Sequence, residues 1–148
     1  MAVVRHQVRV RGSRERAFAY VNDYTTVPDW MFGVTRFDPI TEHTAGLGAT
    51  YDAIMRIGPK NFESTLKVTE YAENELVHLE SIKGFGVTTR WEFADAPEEG
   101  MIDVAVMFEY RLPGGLAGKA LAKIIEPAVG QAVKQTEKAI RAEVEEPA

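Results

Sequence analysis

Near the amino terminus, Val4, His6, Val8 and Val10 alternate with Arg5, Gln7, Arg9 and Arg11. A period of two predicts a half-buried strand. Gly12-Ser13 breaks it, and Ser13 is placed to cap a helix starting at Arg14, with Ala17, Phe18 and Val21 as its apolar side. Asn22-Asp23 ends this helix. The stretch from Thr25 to Trp30 reads as a tight turn or one more helical turn, with Pro28 tolerated near its start. From Thr35 to Leu112 the pattern predicts six strands: Thr35–Glu42, Thr50–Ile57, Asn61–Glu70, Leu76–Ser81, Gly86–Ala94 and Ile102–Leu112. The breakers between them are short, so neighbours are expected to pair antiparallel as a meander. In the last strand Ile102, Val104, Val106, Phe108 and Tyr110 share one face, and Asp103, Ala105, Glu109 and Arg111 the other.

The period then changes. Pro113-Gly114-Gly115 stops the strand, and a helical pattern of roughly thirty residues follows, about 45 Å long at 1.5 Å per residue. Leu121, Ile124, Ile125, Ala128, Ala132, Val133, Thr136, Ala139 and Ile140 fall on one broad side, with Lys119, Lys123, Glu126, Lys134, Glu137 and Arg141 opposite. Pro127 is expected to bend this helix, and the acidic end at Glu143, Glu145 and Glu146 is expected to fray against the helix dipole. A long amphipathic helix must bury its apolar side, and a curved antiparallel sheet with one apolar face can cover it. The expectation is an α+β domain over residues 1–148, with two short helices after the first strand and a seven-stranded sheet wrapped around the final helix.

Composition narrows the function. Lys plus Arg is 17 and Asp plus Glu is 22, giving a net charge of −5, which disfavours a general nucleic-acid or anionic-membrane binder. With no cysteine, disulfides, thiolate metal sites and cysteine nucleophiles are excluded. No apolar run approaches the roughly 20 residues of a membrane span, and the start of the chain lacks a signal-peptide core, so a cytoplasmic location is expected. Three scattered histidines without ligand spacing point to no metal. Gly46-Leu47-Gly48 lacks the remaining spacing of a dinucleotide motif, so no cofactor is expected.

Several local patterns carry a resemblance: Arg14-Glu15-Arg16-Ala17-Phe18-Ala19-Tyr20-Val21, Pro28-Asp29-Trp30, Gly33-Val34, Gly46-Leu47-Gly48-Ala49-Thr50-Tyr51 and Leu112-Pro113-Gly114-Gly115-Leu116. With the order of elements, they resemble the START-related helix-grip superfamily, SRPBCC, and within it the bacterial polyketide cyclase/dehydratase-like branch. The resemblance implies a seven-stranded sheet gripping the carboxy-terminal helix around an apolar cavity. It also implies a hydrophobic small-molecule partner such as a lipid, sterol or polyketide. It transfers no catalytic set residue by residue.

Alternation assigns the interior. Trp30, Tyr51, Trp91, Phe93, Val106, Phe108, Tyr110, Leu121, Ile124, Ala128 and Ala132 are the expected ligand-facing residues, each also readable as ordinary core. The small Ala128, Ala132, Thr136 and Ala139 are expected to leave ligand space beside the helix. The Trp91 indole N–H would need a partner if buried. His78, Asp52, Arg56 and Arg90 are expected outside. His6, Tyr51 and Tyr110 are the candidates for acid–base work, His6 as base and a tyrosine hydroxyl as enolate stabiliser. No acid on the predicted strands orients His6, so a structural histidine is favoured. Three readings stay open: a carrier of a hydrophobic molecule, a cyclase/dehydratase-type enzyme, and an interaction protein with a filled cavity. The oligomeric state is not legible.

Overall fold

The computed structural model describes residues 2–145 apart from 32, 58, 112 and 113, without the side chains of 2, 57, 125–130, 132 and 133. The first strand, β1 (Ala2–Arg11), leads into α1 (Arg14–Asn22), a 3₁₀ turn (Tyr24–Thr26) and α2 (Val27–Trp30). Six strands follow: β2 (Val34–Pro39), β3 (Thr50–Ile57), β4 (Lys60–Ala72), β5 (Leu76–Gly84), β6 (Val87–Asp95) and β7 (Met101–Tyr110). The chain closes with α3 (Gly115–Glu145). All strand pairs are antiparallel, in one seven-stranded sheet of order β1-β7-β6-β5-β4-β3-β2. This is the expected α+β helix-grip arrangement: a curled meander closed by β1, with α3 packed against its concave side. No helix among the described residues is long and apolar enough to cross a membrane.

Local chemistry sets the element ends. The Ser13 hydroxyl accepts from the Arg16 amide at 3.2 Å, capping α1. The Asp23 carboxylate accepts from the Thr25 amide at 3.0 Å and so starts the 3₁₀ turn. Strand β3 has the expected ends, whereas β4 and β5 run longer than expected and β2 and β7 stop earlier. The extension of β4 and β5 follows from their pairing: the hairpin continues past two bulges, and ladder hydrogen bonds override local polarity.

Alternation along β7 is complete, with Ile102, Val104, Val106, Phe108 and Tyr110 buried on one face. These side chains meet Trp91 and Phe93 of β6, Val77 and Leu79 of β5, and Tyr51, Ala53 and Met55 of β3 in one core. On α3, Leu121 and Ile140 are buried and Ile124 is half-buried, while Lys119 and Lys134 are exposed. The helix passes through Pro127 without interruption.

The last turn of α3 corrects an expectation. It does not stand loose: Val144 is buried, and the Glu145 carboxylate accepts from the Arg11 amide at 3.1 Å and from Arg141 at 3.3 Å. Gly12, at φ +148°, makes this possible, because a Cβ there would collide with the Val144 side chain. Docking against β1 outweighs the unfavourable helix-end charge, which is a small term at an exposed terminus.

Candidate functional site

The sheet's concave face and the short α2 enclose an aromatic wall. Trp30 and Trp91 meet edge to face with ring centroids 4.8 Å apart. Phe93 stacks on Trp91 at 6.2 Å, and Phe108 meets it edge-on at 6.4 Å. All four side chains are buried. Phe18 of α1 extends the wall, edge-on to Phe93 at 5.5 Å. The strand register explains the cluster: Trp91 lies between Val77 and Val106, and Phe93 opposite Val104, all on the inward side of the pleat.

Trp30 reaches the wall because its backbone is bolted in place. Its indole N–H donates to the Thr26 hydroxyl at 3.0 Å, and that hydroxyl donates to the Tyr20 carbonyl at 2.6 Å. The helix α2 has only four residues, so its carbonyls find few partners within it. Two of them are met from α3: Gln135 donates to the Asp29 carbonyl at 2.7 Å, and Thr136 donates to the Trp30 carbonyl at 2.7 Å.

Between the Tyr24–Trp30 segment and the sheet, beside the Trp30–Trp91 contact, lies an apolar cavity bounded by Tyr24, Val27, Trp30, Tyr51, Leu79 and Trp91, which Phe93 and Phe108 do not line. The space open to a water's centre is about 20 Å³, room for about one water. Larger concavities of about 480 and 380 Å³ lie on the outer face of the sheet. Charged side chains such as Arg36, Asp52, Arg90 and Glu92 line them. An apolar molecule gains little there, because burying those charges would cost more than the contact returns.

The acid–base candidates do not converge. Tyr51 stacks on Phe37 at 4.5 Å and donates to the Thr44 carbonyl at 2.6 Å. Tyr110 lies near Phe85, at 6.4 Å, at the opposite edge of the core. Along the register, Tyr51 pairs with Leu66, Leu66 with Ser81, and Val87 with Tyr110. That is four strand steps, about 19 Å along the sheet. Burial pushes both hydroxyls up to about 12, so each is a neutral donor near neutrality. His6 stands on the edge strand β1, 28% exposed, with Nε2 3.1 Å from the Glu137 carboxylate of α3. No strand residue among those described orients the imidazole, and the acid that does so comes from the helix, 131 residues away in sequence.

Other expectations resolve simply. Arg56 and Asp52 point outward, Asp52 accepting from the Thr65 hydroxyl at 2.9 Å. His78 also sits on the outer face, but is only 7% exposed, covered by Glu70, Glu80 and Arg90. Val106 and Leu121 are in the core, with Ile124 packed against it. The side chains of Ala128 and Ala132 lie outside the described residues. Sequence reasoning missed Thr136 and Gln135 as the bolts of α2, and Phe18 as part of the wall. Only the apolar position of Phe18 on α1 signalled anything.

Buried polar side chains sharpen the picture. Thr50, Ser64, Thr88 and Thr136 each have a hydrogen-bond partner. The Trp91 indole nitrogen and the Thr89 hydroxyl do not. The same holds for the Thr69 hydroxyl, which sits at the bulge where β4 and β5 change register.

Comparison with known proteins fits this geometry. A family model described as "Polyketide cyclase / dehydrase and lipid transport" matches residues 1–145. No curated protein matches the chain. The fold is shared with a protein from Thermus thermophilus, TTHA0849, at a TM-score of 0.76, 16% identity and 96% coverage of each chain. It is shared with a START superfamily protein from Mycobacterium smegmatis, at 0.68, 19% identity and 97% coverage of each chain. The Zhui aromatase/cyclase from Streptomyces sp. R1128 is also similar, at 0.71 and 13% identity, covering 97% of this chain and 93% of that one.

Proposed function

The chain belongs to the polyketide cyclase/dehydrase and lipid transport family, and on that premise we propose that it binds a largely apolar, ring-bearing small molecule between the inner face of its sheet and α3. The supporting observation is the aromatic wall of Trp30, Trp91, Phe93 and Phe108. Its rings offer large flat area and edge-to-face geometry that suits another ring. The cavity beside the wall holds about one water in this conformation, so a ring enters when the wall parts. The segment from Tyr24 to Trp30 closes the cavity on one side, and moving it aside breaks the hydrogen bonds from Gln135 and Thr136 to the Asp29 and Trp30 carbonyls.

The protein carries its own reporter. Its two tryptophans, Trp30 and Trp91, are both in the wall. Gentle purification followed by native mass spectrometry is expected to show a retained small molecule. Titration of stripped protein with fluorenone is expected to change tryptophan emission saturably at one equivalent. No retained mass and no change in emission would favour a filled interior and an interaction role.

A second reading, an enzyme of the cyclase/dehydratase type, is favoured by the His6–Glu137 pair, an imidazole oriented by a carboxylate as a general base would be. Turnover of a polyketide-like substrate, lost by about 10²–10⁴-fold in His6→Ala, would support it. Equal turnover in the variant would eliminate His6 as the base.

A further inference from the structure

The two ends of the sheet carry opposite charge. One end holds the β3–β4 turn, the β5–β6 turn and the lead-in to α3. Hydrogen bonds tie these segments together: the Phe85 amide donates to the Glu63 carbonyl at 2.8 Å, and the Arg111 amide to the Gly86 carbonyl at 2.9 Å. The half-buried rings of Phe62 and Phe85 meet there, with centroids 4.7 Å apart. The stretches that build this end, residues 53–62, 81–91 and 110–125, contain no aspartate or glutamate. Lys60, Lys83, Arg111, Lys119 and Lys123 stand exposed on it. The bordering acids leave the outer face of the sheet: Glu63 lines the outer concavity with Lys83, and Glu109 lies 3.7 Å from Arg111. At the opposite end the turns carry Glu73, Glu75, Asp95, Glu98 and Glu99, and α3 finishes on Glu143 and Glu145. Arg14, Arg9 and Arg141 offset part of that charge, at Asp95, Glu98 and Glu145.

Apolar side chains stand among the cations. Leu116, in the first turn of α3, is 84% exposed, more than any other large hydrophobic residue among those described, and Ile82, beside Lys83, is 59% exposed. At 100° per residue, Leu116, Lys119 and Lys123 fall on the side of α3 opposite the buried Leu121. Leu116 therefore adds nothing to the core. The Arg111 side chain ties the two segments, donating to the Ser81 hydroxyl at 3.4 Å. A lone exposed leucine needs no explanation. Two large apolar groups on neighbouring tips, inside a basic field without acids, are a different case.

We propose that this end of the molecule docks on an anionic bilayer surface, with Leu116 and Ile82 entering the headgroup layer and Lys60, Lys119 and Lys123 meeting lipid phosphates. A bilayer fits better than an acidic protein, because the apolar groups project singly from a turn and a helix, and a fluid interface accepts them without a matching shape. Lysine stems lie along the acyl boundary while their ammonium groups reach phosphate. The net charge of −5 does not oppose this. The acidic end faces away, and charges beyond a screening length of about 8 Å are largely unfelt. Docking of this kind asks nothing of the cavity beside Trp30 and Trp91.

Co-sedimentation of the full chain with vesicles tests this. Vesicles of phosphatidylcholine alone are compared with vesicles of equal parts phosphatidylcholine and phosphatidylglycerol, at low and high salt. The expected result is binding to the anionic vesicles at low salt, little to the neutral ones, and loss at high salt. Lys119→Gln with Lys123→Gln is expected to weaken binding about 30-fold, and Leu116→Gln about tenfold. Lys134→Gln with Lys138→Gln makes the same charge change about 20 Å further along the helix, and is expected to alter binding by less than about twofold. All five side chains are exposed, so each variant is expected to keep the far-UV circular dichroism of the parent. Absence of binding to anionic vesicles would overturn the proposal. Equal losses in the two lysine pairs would also overturn it, since net charge and not this patch would then be responsible. Unchanged binding in Leu116→Gln would refute insertion. Tighter binding to polyglutamate than to the vesicles would refute the bilayer in favour of an acidic protein.

Discussion

The same conservative substitution is expected to have opposite effects at two buried threonines. Thr136 is 3% exposed, and its hydroxyl donates to the Trp30 carbonyl at 2.7 Å. Valine keeps the shape, removes the donor and leaves that carbonyl without it in a dry interior. An unsatisfied buried group costs about 1–3 kcal/mol, so Thr136→Val is expected to destabilise by about that amount. Thr89 is also fully buried, but its hydroxyl has no partner to lose. Thr89→Val removes an unpaired group and is expected to stabilise by about 1–3 kcal/mol. Urea unfolding followed by far-UV circular dichroism measures both. With a slope of about 2 kcal/mol per molar, a 2 kcal/mol change moves the midpoint by roughly 1 M. Because Thr136 fixes α2, its variant should also change the emission of Trp30. Two results would refute the reasoning: a neutral Thr136→Val, or a Thr89→Val that loses more than 1 kcal/mol with an unchanged slope.

Gly84→Ala is expected to destabilise by more than the roughly 1–2 kcal/mol of a left-handed residue, because φ is +82° and the new Cβ would strike the Glu63 carbonyl. Gly46→Ala, at φ +90° with open space around it, isolates the conformational part alone, and equal losses in the two unfolding midpoints would refute the steric contribution. Burial pushes Tyr20, Tyr51 and Tyr110 up to about 12, above the unfolded value near 10. Their contribution to stability is therefore intact below about pH 10 and lost as pH rises toward about 12. Absorbance at the tyrosinate band, read beside circular dichroism, should show at least three of the five tyrosines ionising only as the fold is lost. Ionisation of all five near pH 10 with the sheet intact would contradict the burial argument.

Much of the architecture was legible because it is written at short range. Alternation placed β3 at Thr50–Ile57, put Tyr51, Trp91 and Phe108 inside, and put Arg56 and Asp52 outside. The Gly12-Ser13 break and the Ser13 cap located the start of α1. These signals need only a residue and its neighbours two to four positions away, which is the distance over which pleat, helix turn and cap operate. The ends of β4 and β5 escaped because ladder hydrogen bonds come from another strand.

The candidate site divides the same way. The sequence determined that an aromatic, apolar interior exists and that a buried Trp91 would need a partner. Only the tertiary structure decided that Trp30 finds Thr26 and that Trp91 finds no partner. Only it decided that His6 meets a glutamate 131 residues away and that Thr136 bonds a carbonyl 106 residues away. His78 shows the limit most clearly: the pattern placed it on the outer face, where it stands, yet Glu70, Glu80 and Arg90 cover it. The period of a strand says which side a side chain leaves from. What meets it there depends on packing between distant elements, and local pattern carries no record of that.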